Sequence, residues 1–111
     1  MRRAAALVLA LAAMGCATAP THHLQRMNGR RTPRAAACDH PELFIDRGPA
    51  REREVLAVVT AECTDRHPEQ CRAELQRAGC DADADAVTEA RANPLRGGRI
   101  RMVGYAVEWR P

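Results

Sequence analysis

The chain has 111 residues, a formal net charge of +3 and 46% hydrophobic residues, which bounds it to one small domain. Only Phe44, Tyr105 and Trp109 are aromatic, too few for base-stacking platforms or aromatic cages. All 17 basic residues are arginine and about a fifth of the chain is alanine, a coding bias that leaves those two residue types with little functional meaning.

In chain order, Met1-Arg2-Arg3 is a positive start, followed by eleven uninterrupted apolar residues, 4–14, and then by Gly15 and Cys16. As a helix the apolar run is about 16 Å long, well short of the ~30 Å hydrocarbon core of a bilayer. The pattern predicts a signal peptide over residues 1–15 rather than a signal anchor. The sequence Ala13-Met14-Gly15-Cys16 resembles a bacterial lipobox, with Ala13 where that pattern prefers Leu. The resemblance implies a diacylglyceryl group on the Cys16 thiol and cleavage that leaves Cys16 as the acylated N-terminus. The competing cleavage, after Ala17-Thr18-Ala19, puts Pro20 beside the cut and yields a soluble exported chain. Ala17, rather than Asp, after the cysteine points to the outer membrane.

Five cysteines would leave an odd thiol in an oxidising compartment. Lipidation of Cys16 leaves Cys38, Cys63, Cys71 and Cys80, an even set with three connectivities, read as two disulfides. Each contributes ~2–4 kcal/mol to a domain with little core of its own.

Residues 17–37 show no hydrophobic periodicity and hold two prolines, four arginines and no acid. They read, together with Cys16, as a disordered basic tether (16–37) with an r.m.s. span of about 25 Å. Residues 38–111 carry 11 arginines against 14 acids, a charge of −3. This asymmetry suits a tether lying near anionic headgroups with the domain standing off, or a plain solvated linker.

Within residues 38–111, a short strand is expected over 41–46, closed by Gly48-Pro49, and a second over 54–63. In the second, Val55, Ala57, Val59 and Ala61 fall on one face and Leu56 and Val58 on the other. Pro68 then suits the first turn of a helix, with Glu69 and Glu74 in its N-terminal half. Cys71, Leu75, Ala78 and Ala82 form one narrow apolar stripe; Gly79 marks either an early end or a weak point costing ~1 kcal/mol. A third strand is expected over 84–89, a turn over 93–98, and the longest strand over 99–109. On that strand Val103, Tyr105, Val107 and Trp109 oppose Ile100, Met102, Gly104 and Ala106. The prediction is α+β: a four-stranded β-β-α-β-β sheet with one packed helix as crossover, right-handed if the strands it joins are parallel.

A strand ending near a cysteine, a helix leading into Asp83-Ala84-Asp85-Ala86-Val87, and Val103-Gly104-Tyr105-Ala106-Val107 together resemble the small bacterial lipoproteins of the RcsF-like and YbjQ-like group, over about residues 54–109. Asp83 stands where that group has Gly, so the resemblance implies a left-handed helix cap there. It implies contact with other envelope proteins and supplies no catalytic residue.

Cys63, His67 and Cys71, with Cys80 nearby, have the residue types for a zinc site but lack paired CxxC knuckles. Asp81, Asp83 and Asp85 imitate the start of a calcium loop, with Ala86 and Ala92 at its sixth and twelfth positions. His22 and His23 offer at most a loose metal contact, and His40 a surface position. No serine, phosphate loop or free Cys–His pair is present in the pattern, and compartment and charge argue against nucleic acid. The expectation is therefore a lipid-anchored, non-enzymatic interaction, sensor or scaffold domain without a cofactor, bound to the membrane through its lipid and to an envelope protein partner. A zinc-type metal-binding module is the alternative. For the disulfides, Cys71 and Cys80 are nine residues apart and lie about 180° from each other on one continuous helix. This favours Cys63–Cys71 and Cys38–Cys80, an argument that lapses if the helix stops at Gly79.

Overall fold

The computed structural model describes residues 19–27, 38 and 41–111; the expected signal peptide, Cys16, His40 and the tether beyond residue 27 lie outside the described residues. Strands β1 (Thr21–Arg26), β2 (Glu42–Ile45), β3 (Arg53–Thr64), β4 (Ala86–Leu95) and β5 (Arg99–Trp109) form one sheet, and the helix α1 (Pro68–Asp81) joins β3 to β4. The strand order is β1-β3-β5-β4-β2. β5 lies between β3 and β4 and is antiparallel to both, so those two run parallel to each other across it. β2 adds in parallel to β4, and β1 adds antiparallel to β3.

The α+β class with one packed helix and two disulfides is as expected, but the sheet has five strands, not four. The fifth, β1, comes from the segment expected to be a disordered tether. Its one apolar side chain, Leu24, stands opposite Val59 and packs on the core. Six backbone positions are paired with the β3 edge, and His22 and Arg26 reach side-chain and backbone acceptors on the helix.

The core sits between α1 and one face of the sheet. Cys71, Leu75, Ala78 and Ala82, the predicted stripe, are all fully buried against Ala57, Val59, Ala61 and Cys63 of β3. Leu56 does not face away as simple alternation requires: a bulge between Val55 and Ala57 turns it into the same core. With so many alanines, the helix and sheet lie close. Gly79 belongs to this contact rather than to a helix end, since a Cβ there would stand 2.7 Å from Val87 Cγ2 and 2.9 Å from Pro41 Cγ. The helix closes beyond it, with Asp83 N–H donating to Cys80 O and Ala84 N–H to Gly79 O around Asp83 at φ +58°. That is a Schellman closure with aspartate in the left-handed position.

β4 is longer than the sequence pattern indicates. Glu89, at φ +57°, opens a bulge between Thr88 and Arg91, after which the strand continues through Asn93 and Pro94 to Leu95. The expected turn over 93–98 contracts to residues 96–98, where Gly97 and Gly98 take positive φ at no steric cost.

Candidate functional site

The four paired cysteines brace the two ends of α1. Cys63, at the end of β3, is bonded to Cys71 in the first turns of the helix, and Cys38 to Cys80 in its last. This is the pairing expected from the helical angle between Cys71 and Cys80. Of the residues named for zinc, the Cys63 and Cys71 sulfurs are bonded to each other, and His67 Nδ1 lies 3.3 Å from Glu69 Oε1. Asp81, Asp83 and Asp85 do not converge either. Asp81 Oδ2 faces His22 and Asp85 Oδ2 accepts from the Trp109 N–H. Among the described residues no cluster of three or more His, Cys, Asp or Glu side chains is disposed to hold a metal ion, and no helix is long and apolar enough to cross a membrane.

One polar cluster was invisible in the sequence. His22 of β1 reaches across to α1, its Nδ1 2.6 Å from Glu74 Oε2 and its Nε2 2.8 Å from Asp81 Oδ2. Glu74 is nearly buried at 6% exposure and is also paired with Arg77, while Arg26 donates to the Asp81 carbonyl at 3.1 Å. Both ring nitrogens face carboxylates, so only the imidazolium satisfies the pair, because a neutral ring turns one lone pair toward an anion. The hydrogen bond to Glu74 raises the His22 pKa above its ordinary value of 6.5; partial burial opposes this, and the bond to Asp81 and both negative charges add to it. The cluster fastens β1 to the helix. A sequence separation of 52 and 59 residues hides it from any local pattern.

The sheet face away from α1 divides into two halves. Over one half the chain between β2 and β3 folds back: Gly48 packs on Thr88, and Arg51 and Arg53 stand 5.0 and 5.9 Å above the Trp109 ring, which meets Phe44 edge-on at 6.4 Å. The other half is open. Cross-strand pairs Val58–Tyr105, Thr60–Val103 and Glu62–Arg101 line it, the last joined by an ion pair of 2.7 Å. Tyr105 is 40% exposed. Two shallow depressions flank Val103, one of about 440 Å³ toward His23 and Thr60 and one of about 470 Å³ toward Arg91 and Tyr105.

The alternation in the sequence placed Val103 and Tyr105 on one face of the last strand, as observed. Only the structure shows that their face is the uncovered one. Comparison with protein-family models, with curated proteins and with solved structures finds no match for this chain. The likeness of residues 54–109 to the lipoprotein group therefore rests on its short motifs alone.

Proposed function

We propose that this chain is a lipoprotein held at the periplasmic face of the outer membrane through an acylated Cys16, and that its domain works by contact with another envelope protein. The observation that carries the contact reading is the open half-face, where exposed Tyr105 and half-buried Val103 lie between two depressions while α1 fills the opposite face. A rigid ring on a flat sheet is a low-entropy anchor for a protein partner. The oxidised cysteine pairs suit an exported domain, and the signal-like residues 1–15 and the lipobox-like end at Cys16 supply the address. Sensing, scaffolding or assembly are the roles open to such a module.

Photoreactive side chains placed at position 105 and, as a control, at position 110 test the contact in intact cells. The expected result is one discrete crosslinked protein from position 105 and none from 110. Non-reducing mass spectrometry of the same chain is expected to find an acylated N-terminal Cys16 and no free thiol. Absence of a product at 105, or recovery of a full-length reduced chain from the cytosol, refutes the proposal.

A further inference from the structure

We infer that the end of the domain formed by the β4–β5 turn, the β3–α1 connection and the start of β1 is a docking surface for anionic phospholipid headgroups. The inference rests on the acylation of Cys16 proposed above and deepens it: the domain lies against its bilayer instead of standing off.

Chain length sets the first constraint. A 21-residue flexible spacer was expected, but β1 begins at Thr21. Thr21 is the fifth residue after Cys16, at most about 18 Å away when the chain is fully extended. Once β1 is paired, the sheet is held within headgroup reach of the acylated residue.

The second constraint is which end faces the lipid. Thr21 pairs with Glu62 near the end of β3. Pro20 borders a depression of about 900 Å³ together with Thr64, Arg66, Gly98 and Arg99. The chain therefore enters the domain beside the β4–β5 turn.

Charge selects the same end. Residues 91–101 contain four arginines and no acid. Arg101 is held by Glu62, but Arg66, Arg96 and Arg99 make no ion pair among the described residues. Arg66 and Arg96 are exposed. Of the nearby acids, Glu69 is engaged by His67, which leaves Asp65 as the main counter-charge. The opposite end holds Asp83 and Asp85 after the helix and Glu52, Glu54 and Glu108 around the β3 and β5 ends, set against Arg51, Arg53 and Arg110, while Asp81 lies between the ends beside His22 and Arg26. Although residues 38–111 are net negative, their acids outnumber their arginines at the far end, and Arg66, Arg96 and Arg99, without an ion pair among the described residues, sit at the chain entry. An anionic surface attracts that end and repels the other.

The basic end is also pre-ordered. Asp65 N–H donates to Gly98 O at 2.8 Å, tying the two connections together beside the Cys63–Cys71 disulfide. At Gly97 a Cβ would meet nothing within 4 Å, so the tip stands clear of the rest of the domain. Little ordering is needed for its arginines to meet a flat surface.

Arginine footprinting with a dicarbonyl reagent tests this on the full acylated chain in vesicles. In phosphatidylcholine containing about one-third phosphatidylglycerol, Arg66, Arg96 and Arg99 should react several-fold more slowly than in phosphatidylcholine alone. Arg110, at the far end, should not change, and about 0.5 M salt should abolish the protection. If Cys16 is acylated and the three arginines react equally in both lipids, docking is refuted while the anchor reading stands. If Cys16 is not acylated, the anchor reading fails and docking is judged by sedimentation of the same unanchored chain with the same vesicles. Preference for phosphatidylglycerol then supports it and equal pelleting overturns it. In that sedimentation the triple variant Arg66→Gln/Arg96→Gln/Arg99→Gln should lower partitioning about fivefold per arginine, on the order of a hundredfold in all. Its circular dichroism should match the parent, since these side chains form no ion pair among the described residues.

Discussion

Replacing His22 by alanine removes the fastening between β1 and α1, and the loss should depend on pH. The Glu74 arm matters more, because that carboxylate side chain is 8% exposed against 57% for Asp81. A charge-assisted hydrogen bond to a nearly buried group is worth ~1.5–3 kcal/mol, whereas the exposed Asp81 arm adds well under ~1 kcal/mol. With the His22 side chain itself 28% exposed, a net loss of about 2 kcal/mol follows for the protonated state, or about 10 °C in Tm for a domain of this size. The His22 pKa is raised in the folded protein. Its contribution is therefore complete below the unfolded value of 6.5 and declines as pH rises through the folded value. Thermal unfolding of the parent and of His22→Ala at about pH 5.5 and about pH 8.5 reads this directly. The difference between the two proteins should be largest at the lower pH and shrink at the higher. A difference that stays constant, or grows with pH, refutes the imidazolium pair. His23→Ala is the matched control, as the neighbouring side chain points to the open face, and it should shift Tm by no more than the error.

Opening Cys38–Cys80, which spans 42 residues, should cost about 4 kcal/mol, and opening Cys63–Cys71, which spans 8, about 2.5 kcal/mol by loop entropy; urea titration of the Cys-to-Ser pairs measures both. Gly79→Ala raises helix propensity by ~1 kcal/mol yet should still destabilise by about 1–2 kcal/mol, because its Cβ meets Val87 and Pro41. Gly104→Ala, whose Cβ would stand 2.9 Å from Val87 Cγ1 and 3.2 Å from the Thr88 carbonyl, should cost about as much in the same assay.

Much of the fold was legible because its alternation is strong. The buried stripe of α1 and the two faces of β5 follow directly from residue spacing; the angle between Cys71 and Cys80 on an unbroken helix excludes only a bond between those two, and the pairing favoured on that ground is the one observed. Three features escaped for identifiable reasons. β1 carries one apolar residue in six and is a strand only because the β3 edge lies beside it, which is a tertiary cause. β4 seemed to end at Glu89 because the bulge there resets the alternation, so that Asn93 and Pro94 looked like turn residues. The His22–Glu74–Asp81 cluster depends on β1 and was lost with it. Val103 and Tyr105 were assigned the correct face, but that face is open because the chain between β2 and β3 covers only its other half, and no local pattern encodes how far a loop folds back.

Among the described residues β1 is the one strand that precedes both covalent loops; β2 and β3 lie within the Cys38–Cys80 loop, and β4 and β5 follow it. Tension entering through the N-terminal segment therefore loads six backbone pairings and one histidine before it reaches any crosslinked part of the molecule. Peeling β1 away would leave both disulfides and the other four strands in place and bare a row of unsatisfied N–H and C=O groups along β3, a ready template for a strand from another chain. Mechanical load at the leading end is thereby converted into a new adhesive edge.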